Sequence, residues 1–352
     1  MRVRGWAVVF CMWLVLVACT VTPAPIPTPP ATPGPINTTT PSAADTATAT
    51  PADTPANNTT PADISTGIPL TPSPATSTAQ ALPTDTPAQS AGGVPRPDHV
   101  VVLIFENQGY AQIAGNACCP YINQQANASA LMTNSFALTH PSQPNYLDLF
   151  SGSTQGVIDD SCPVPGAPFS TPNLGQELTD AGFTFGGFSE DLPAVGSTVC
   201  STKTYALKHN PWADFSNVPS LDNLPYSSFP TDFTQLPTVS IVVPNICNDM
   251  HDCAPTSGDD WLRSNLDRYI QWTATHNSLL IVTFDEDDSA GTNQVTTFFE
   301  GPMVKPGKYG ERITHYNVLR TLEAMYGLPH AGGAANVATL TDIWSGSTTP
   351  TP

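Results

Sequence analysis

The sequence predicts an α/β domain: a three-layer α/β/α sandwich around a mostly parallel central sheet. Three observations predict it. Short runs rich in β-branched residues and apolar on both faces recur along the chain, as in strands covered on both sides. Amphipathic stretches of helical period lie between them. The runs also end abruptly in carboxylates or amides, most clearly at Leu279-Leu280-Ile281-Val282-Thr283-Phe284 followed by Asp285-Glu286-Asp287-Asp288. In an open α/β sheet the C-terminal strand edge collects ligands and catalytic groups. Four adjacent carboxylates repel one another there unless a cation is held between them.

The elements follow in order. His99 to Phe105 is a buried first strand ending in Glu106-Asn107. Pro120 to Thr133 reads as a helix with Ile122, Ala126 and Leu131 on one side, and a short helix Tyr146–Phe150 follows the turn around Ser142. Asn173 to Ala181 is a helix closed by Gly182, then Phe183–Phe188 and Val239–Val243 are strands, the latter ending at Pro244-Asn245. Gly258 to His276 is an amphipathic helix. Strands Leu279–Phe284 and Val295–Phe299 come next, then a helix from about Tyr316 to Tyr326 capped by Gly327.

Composition sets the context. The chain has 352 residues, Lys+Arg 11 against Asp+Glu 29, and a net charge of -18. Such a surface does not favour nucleic acid or an anionic membrane face. Arg2 and Arg4 precede an apolar stretch, Trp6–Ala18, too short to span a membrane. It reads as an export signal ending in Leu16-Val17-Ala18-Cys19, which has the form of a bacterial lipobox with Cys19 as the lipidated residue. An ordinary cleaved signal is the alternative. The expected organisation is a signal at 1–19, a Pro/Thr-rich tether at 20–95, a catalytic domain at 96–345 and a loose tail at 346–352. The tether carries only Asp45, Asp53, Asp63 and Asp85, so the acidity belongs to the folded part.

Six cysteines remain after Cys11 and Cys19, and in an exported chain they read as disulfides rather than thiolate ligands. Cys247–Cys253 would close a short loop and Cys162–Cys200 is a second bridge. Cys118 and Cys119 are adjacent, and either join each other or pair elsewhere.

The strand ends carry the chemistry. Glu106-Asn107, Asn245 leading to Asp249 and His251, and Asp285-Glu286 place oxygen and imidazole donors at one edge, the arrangement of a metal-dependent hydrolase. In Thr139-His140-Pro141-Ser142-Gln143-Pro144-Asn145-Tyr146, two prolines fix a turn around Ser142 at the start of a helix. Ser142 is either a helix N-cap or a metal-activated nucleophile. His140 either touches phosphate or steadies the turn, and Asn145 either orients substrate or makes an Asx turn. Asp159 and Asp160 read as a solvated loop. Asp287 and Asp288 either back up the site or cap the next turn.

Several motifs together resemble the phosphoesterase family of acid phosphatases and phospholipases C. They are Phe-Glu-Asn-x-x-Tyr at 105–110, His-Pro-Ser-Gln-Pro-Asn-Tyr at 140–146, Lys-His-Asn-Pro-Trp at 208–212, Pro-Asn-x-x-Asn-Asp-Met-His-Asp at 244–252, Thr-Phe-Asp-Glu-Asp-Asp at 283–288 and Thr-His-Tyr-Asn-Val-Leu-Arg-Thr-Leu-Glu at 314–323. The resemblance implies an alkaline-phosphatase-like fold. It implies Ser142 as nucleophile and metal ligand, with Glu106, Asn107, Asp285 and Glu286 as further ligands. It places His209, His251 and His315 around the phosphate, and in the wider superfamily equivalents of Asp249, His251 and His315 hold a second metal. Relatives often have Asp-Asp where this chain has Asp285-Glu286.

The expected function is a cell-surface phosphomonoesterase of acid phosphatase type. It would act on small phosphate esters through a phosphoseryl intermediate, with one or two divalent ions: Ca, Mg, Mn or Zn. Histidines cationic at mildly acid pH would bind the transferred group and favour an acid optimum. The alternatives are a phospholipase C-type phosphodiesterase, or a tethered non-catalytic protein that binds cations or glycans. The membrane would be reached through the lipid anchor, and no nucleic-acid partner is expected.

Overall fold

The computed structural model describes residues 93–346. The signal with Cys19, nearly all of the tether and the final residues lie outside the described residues. No helix among the described residues is long and apolar enough to cross a membrane.

The strands are β1 (His99–Phe105), β2 (Ala130–Met132), β3 (Ser135–Phe136), β4 (Phe185–Ser189), β5 (Asn223–Pro225), β6 (Val239–Val243), β7 (Ser278–Phe284), β8 (Thr297–Glu300), β9 (Gly307–Tyr309) and β10 (Ile313–Thr314). The helices are α1 (Tyr110–Ile113), α2 (Pro120–Ala128), α3 (Ser142–Ser151), α4 (Leu174–Asp180), α5 (Pro255–Thr273) and α6 (His315–Tyr326). Eight strands form one sheet in the order β5-β4-β6-β1-β7-β8-β2-β9. From β5 through β7 every neighbour is parallel, while β8 is antiparallel to both β7 and β2. The sheet is therefore mostly parallel, as the all-apolar strands require.

Strand alternation divides the core in two. Val100, Val102, Ile104, Ile241 and Ile281 pack with Leu147 and Phe150 of α3 and Val318 and Leu322 of α6. Val101, Leu103, Val242, Leu280 and Val282 pack on the other face with Ile122 of α2 and Leu262 and Leu266 of α5. Odd and even positions of one strand thus feed opposite layers.

The helix expected over 120–133 ends at Ala128. Ser129 turns extended (φ -118°, ψ -172°), and Ala130–Met132 becomes β2, buried between β8 and β9. Long-range pairing overrides a local helical pattern there. The strand expected at Val295–Phe299 is Thr297–Glu300, with Val295 instead bridging Gly109. Cys162–Cys200 and Cys247–Cys253 are formed. Cys118 and Cys119 are thiols whose sulfurs lie 2.6 Å apart, Cys118 donating to Gln112 O and Cys119 to Pro255 O.

Candidate active site

β1, β6 and β7 are adjacent and parallel, so their C-terminal ends share one edge. The backbone beyond them is stitched together: Glu106 N donates to Asp249 O (2.8 Å) and Asp285 N to Phe105 O (3.0 Å). Asn107 lies in the left-handed region (φ 43°), which Asn tolerates better than most residues. That turn aims its N–H at Asp285 Oδ1, 3.1 Å away.

Ser142 is the first residue of α3, whose N-cap is Pro141. It does not cap the helix. Its Oγ lies 3.0 Å from Glu106 Oε2, 3.2 Å from Glu286 Oε1 and 3.3 Å from Asn107 Oδ1. A hydroxyl has one proton, so it can satisfy only one of these acceptors. The Tyr146 hydroxyl, one turn along α3, donates to the other oxygen of Glu106, and its ring stacks on His209 with centroids 5.2 Å apart.

His209 is buried between two acids, with Nε2 3.2 Å from Glu106 Oε1 and Nδ1 3.2 Å from Asp249 Oδ2. His209 Nε2, Asp249 Oδ2 and Asp285 Oδ2 are buried without a hydrogen-bond partner. Glu106, His209 and Asp249 present one ligand atom each within 4.8 Å of one another. Burial pushes Asp285 up to about 7 and Asp249 and Glu286 up to about 8, and it raises Glu106 well above the carboxylate range, with Asp285 and Asp249 adding to the rise. Crowded oxygens short of protons, orphaned ligand atoms and carboxylates held off ionisation are what a divalent cation would relieve. The donor set therefore fits a cation: a possible metal site exists here, at which Glu106 faces both Ser142 and the His209–Asp249 pair.

The expected residues separate by position. Glu106, Asn107, Ser142, Asp285, Glu286 and Asp249 converge. Asp249 is grouped with His209 and Glu106 rather than presented with His251 and His315. His315 is buried as the first residue of α6, and its Nε2 lies 2.7 Å from the carbonyl oxygen of Asp285. It supports the turn that carries Asp285. His251 is partly exposed beside Lys208, with Nε2 3.2 Å from Nζ. Burial lowers His209 well below the usual imidazole range and His315 to about 4, so neither is the cation expected at mildly acid pH.

His140, 35% exposed, lies 2.8 Å from Glu286 Oε2 through Nδ1 and 3.3 Å from Asp287 Oδ1 through Nε2. Asn145 donates to Thr139 O and Glu286 Oε2 and accepts from the N–H groups of Leu138 and Thr139, which fixes the turn and one acid together. Asp287 accepts from the N–H groups of Ser289 and Asn293 and caps its loop. Asp160 is not simply solvated: it accepts from Gln143 N (2.9 Å) and Lys208 Nζ (2.8 Å). The sequence gives Tyr146 and Lys208 no role, and gives Asp160 only a place in a solvated loop. Tyr146 and Lys208 do lie inside the motifs that carry Ser142 and His209, and that adjacency was the signal available.

Residues 116–329 match the profile of the Phosphoesterase family. The chain is 53% identical over 257 residues to the Mycobacterium tuberculosis protein named phosphatidylinositol-3-phosphatase, covering 72% of this chain and 85% of that protein. It is 29% identical over 259 residues to a probable acid phosphatase of Kluyveromyces lactis, covering 67% of this chain but 60% of that protein. Among solved structures, a protein in the alkaline phosphatase superfamily from Vibrio parahaemolyticus superposes with TM-score 0.52 at 12% identity, over 71% of this chain and 72% of that one. That likeness concerns the fold alone. With its alkaline-phosphatase-like fold and its convergent acid-and-serine edge, the chain belongs to the Phosphoesterase family and is a hydrolase of phosphate esters.

Proposed function

We propose that this chain is a metal-dependent phosphomonoesterase whose nucleophile is Ser142, exported and tethered to the cell surface through Cys19. The observation that carries the reading is the hydroxyl of Ser142 facing Glu106, Asn107 and Glu286 at 3.0–3.3 Å from the first turn of a buried helix. A non-catalytic cation-binding protein has no need of that hydroxyl.

Glu106, Asn107, Ser142, Asp285 and Glu286 would hold a divalent ion, and Glu106, His209 and Asp249 offer room for another. When bound, such an ion polarises a phosphoryl oxygen and lowers the proton affinity of the serine hydroxyl. Ser142 gives its proton to a neighbouring carboxylate, and its Oγ attacks phosphorus in line. The bond from phosphorus to the ester oxygen breaks, leaving a phosphoseryl group that water then cleaves. Tyr146 fixes the Glu106 carboxylate from behind. The partly exposed His140, rather than the buried His209 and His315, is open to the leaving oxygen, while both ring nitrogens of His251 are engaged by Asp252 and Lys208. The name of the Mycobacterium tuberculosis relative extends the substrate range to a phosphate monoester on an inositol lipid.

The deciding experiment is hydrolysis of p-nitrophenyl phosphate and of its bis-ester, with and without chelator, by wild type and Ser142→Ala. The monoester should be cleaved, the chelator should stop it, and Ser142→Ala should be inactive but folded. A fully active Ser142→Ala removes the nucleophile, and activity on the diester alone favours a phospholipase C-type phosphodiesterase.

A further inference from the structure

Lys208 is the second residue of the 3-10 turn Leu207–His209, beside the acid cluster. Its Nζ donates to Asp160 Oδ2 (2.8 Å) and lies 3.2 Å from His251 Nε2. His251 Nδ1 is 2.7 Å from Asp252 Oδ1, and a carboxylate only accepts. Nδ1 therefore carries the proton, and Nε2 offers its lone pair to Lys208. Two of the three ammonium N–H groups are engaged by these partners, which leaves one for a ligand. The side chain is 17% exposed, so the charge is screened from bulk water yet not sealed off.

The charge of Lys208 bears on Glu106, Asp249 and Glu286. Arg96, Arg263, Arg268 and Arg312 instead lie over the rings of Phe183, Tyr121, Phe233 and Phe136. The ammonium is also built in. Asp160 spends its second oxygen on the N–H of Gln143, the residue after Ser142. Two residues on, Cys162 is bridged to Cys200, and Cys200 O accepts from Leu207 N at 2.8 Å. One carboxylate and one disulfide thus hold the ammonium at a fixed distance from the helix that carries the nucleophile.

We infer that Lys208 is a specificity-determining residue: its free N–H takes a non-bridging oxygen of the substrate phosphate and favours the doubly charged monoester over the singly charged diester. A phosphate monoester carries nearly two charges at neutral pH, and a fixed ammonium attracts it about twice as strongly as a monoanion at the same distance. Asp160 is the positioning residue that keeps the ammonium in reach. The inference rests on the phosphomonoesterase reading.

The test uses the full chain with divalent cation present, as wild type, Lys208→Met and Lys208→Arg. It measures kcat/KM on p-nitrophenyl phosphate and its bis-ester, inhibition by inorganic phosphate, and calorimetric binding of inorganic phosphate. Lys208→Met should lose about tenfold to a hundredfold in monoester kcat/KM, chiefly through KM, as for a charge-assisted hydrogen bond. Phosphate binding should weaken in parallel, the diester kcat/KM should fall only about threefold to tenfold, as half the charge implies, and Lys208→Arg should recover most of the loss. A Lys208→Met enzyme with unchanged phosphate affinity and an unchanged monoester-to-diester ratio overturns the inference. So does an equal loss on both esters accompanied by a lowered Tm, since that marks a structural role. If wild type cleaves neither ester, the parent reading fails by itself, and phosphate calorimetry on wild type against Lys208→Met still decides the role of Lys208.

Discussion

The Tyr146 hydroxyl donates to Oε1 of Glu106 while the Tyr146 ring stacks on His209, so one side chain of α3 braces two groups of the acid cluster. The opposite oxygen of Glu106 faces Ser142, four residues earlier on the same helix. Serine and tyrosine, one helical turn apart, therefore grip a single carboxylate from two sides.

Removing that brace gives the first prediction. Tyr146→Phe keeps the stacked ring and loses only the hydroxyl. We expect kcat to fall about tenfold, the cost of one lost hydrogen bond to a charged group, with KM nearly unchanged. Steady-state kinetics on p-nitrophenyl phosphate decide it, and an unaltered kcat would show that Glu106 is oriented without Tyr146.

Ser142→Ala and Glu106→Gln bear on the same contact from its other end. Ser142→Ala should lower kcat by at least about a thousandfold, since it removes the attacking atom. Glu106→Gln should also cripple the rate and should weaken retention of divalent metal, measured by elemental analysis after dialysis. Full metal content in Glu106→Gln would argue against Glu106 as a ligand.

The buried acids predict a pH dependence of stability for the chelated protein. Asp285 is pushed up to about 7 and Asp249 and Glu286 up to about 8, whereas an unfolded chain releases these protons near pH 4. The folded chain then binds more protons, so stability from this source is fully present below about pH 4 and is lost as pH rises toward 7–8. The Tm of chelated protein should fall between pH 5 and pH 8, and added divalent cation should restore it most at the upper end. Scanning calorimetry would refute this by showing a flat or rising Tm.

The disulfide beside Asp160 predicts a linked loss of stability and affinity. Cys162–Cys200 closes a loop across a sequence separation of 38. Replacing both cysteines by serine should cost about 2–4 kcal/mol in urea unfolding. It should also raise KM more than it lowers kcat, because the segments bearing Asp160 and Lys208 are no longer tied. A change in stability with KM untouched would separate the bridge from the site.

Much of the architecture is legible in local sequence. Val100–Phe105 and Leu279–Phe284 are apolar at odd and even positions alike, and only strands covered on both faces need that. Glu106-Asn107 and Asp285-Glu286 were readable because a parallel sheet delivers every strand's C-terminal end to the same edge. Ala130–Met132 reads locally as helix because its partners, β8 and β9, come more than 160 residues later. Local pattern carries no trace of that pairing.

The sequence by itself determined which strands would be buried, which edge would carry the acids, and that Ser142 would open a helix there. Tertiary structure alone decided which groups meet. It set Asp249 against His209, turned His315 beneath the Asp285 carbonyl, and drew Asp160 from a loop onto Lys208, 48 residues away. The physical reason is that periodicity records how each segment faces the core. A contact between side chains from distant segments depends on the folded backbone that delivers both of them.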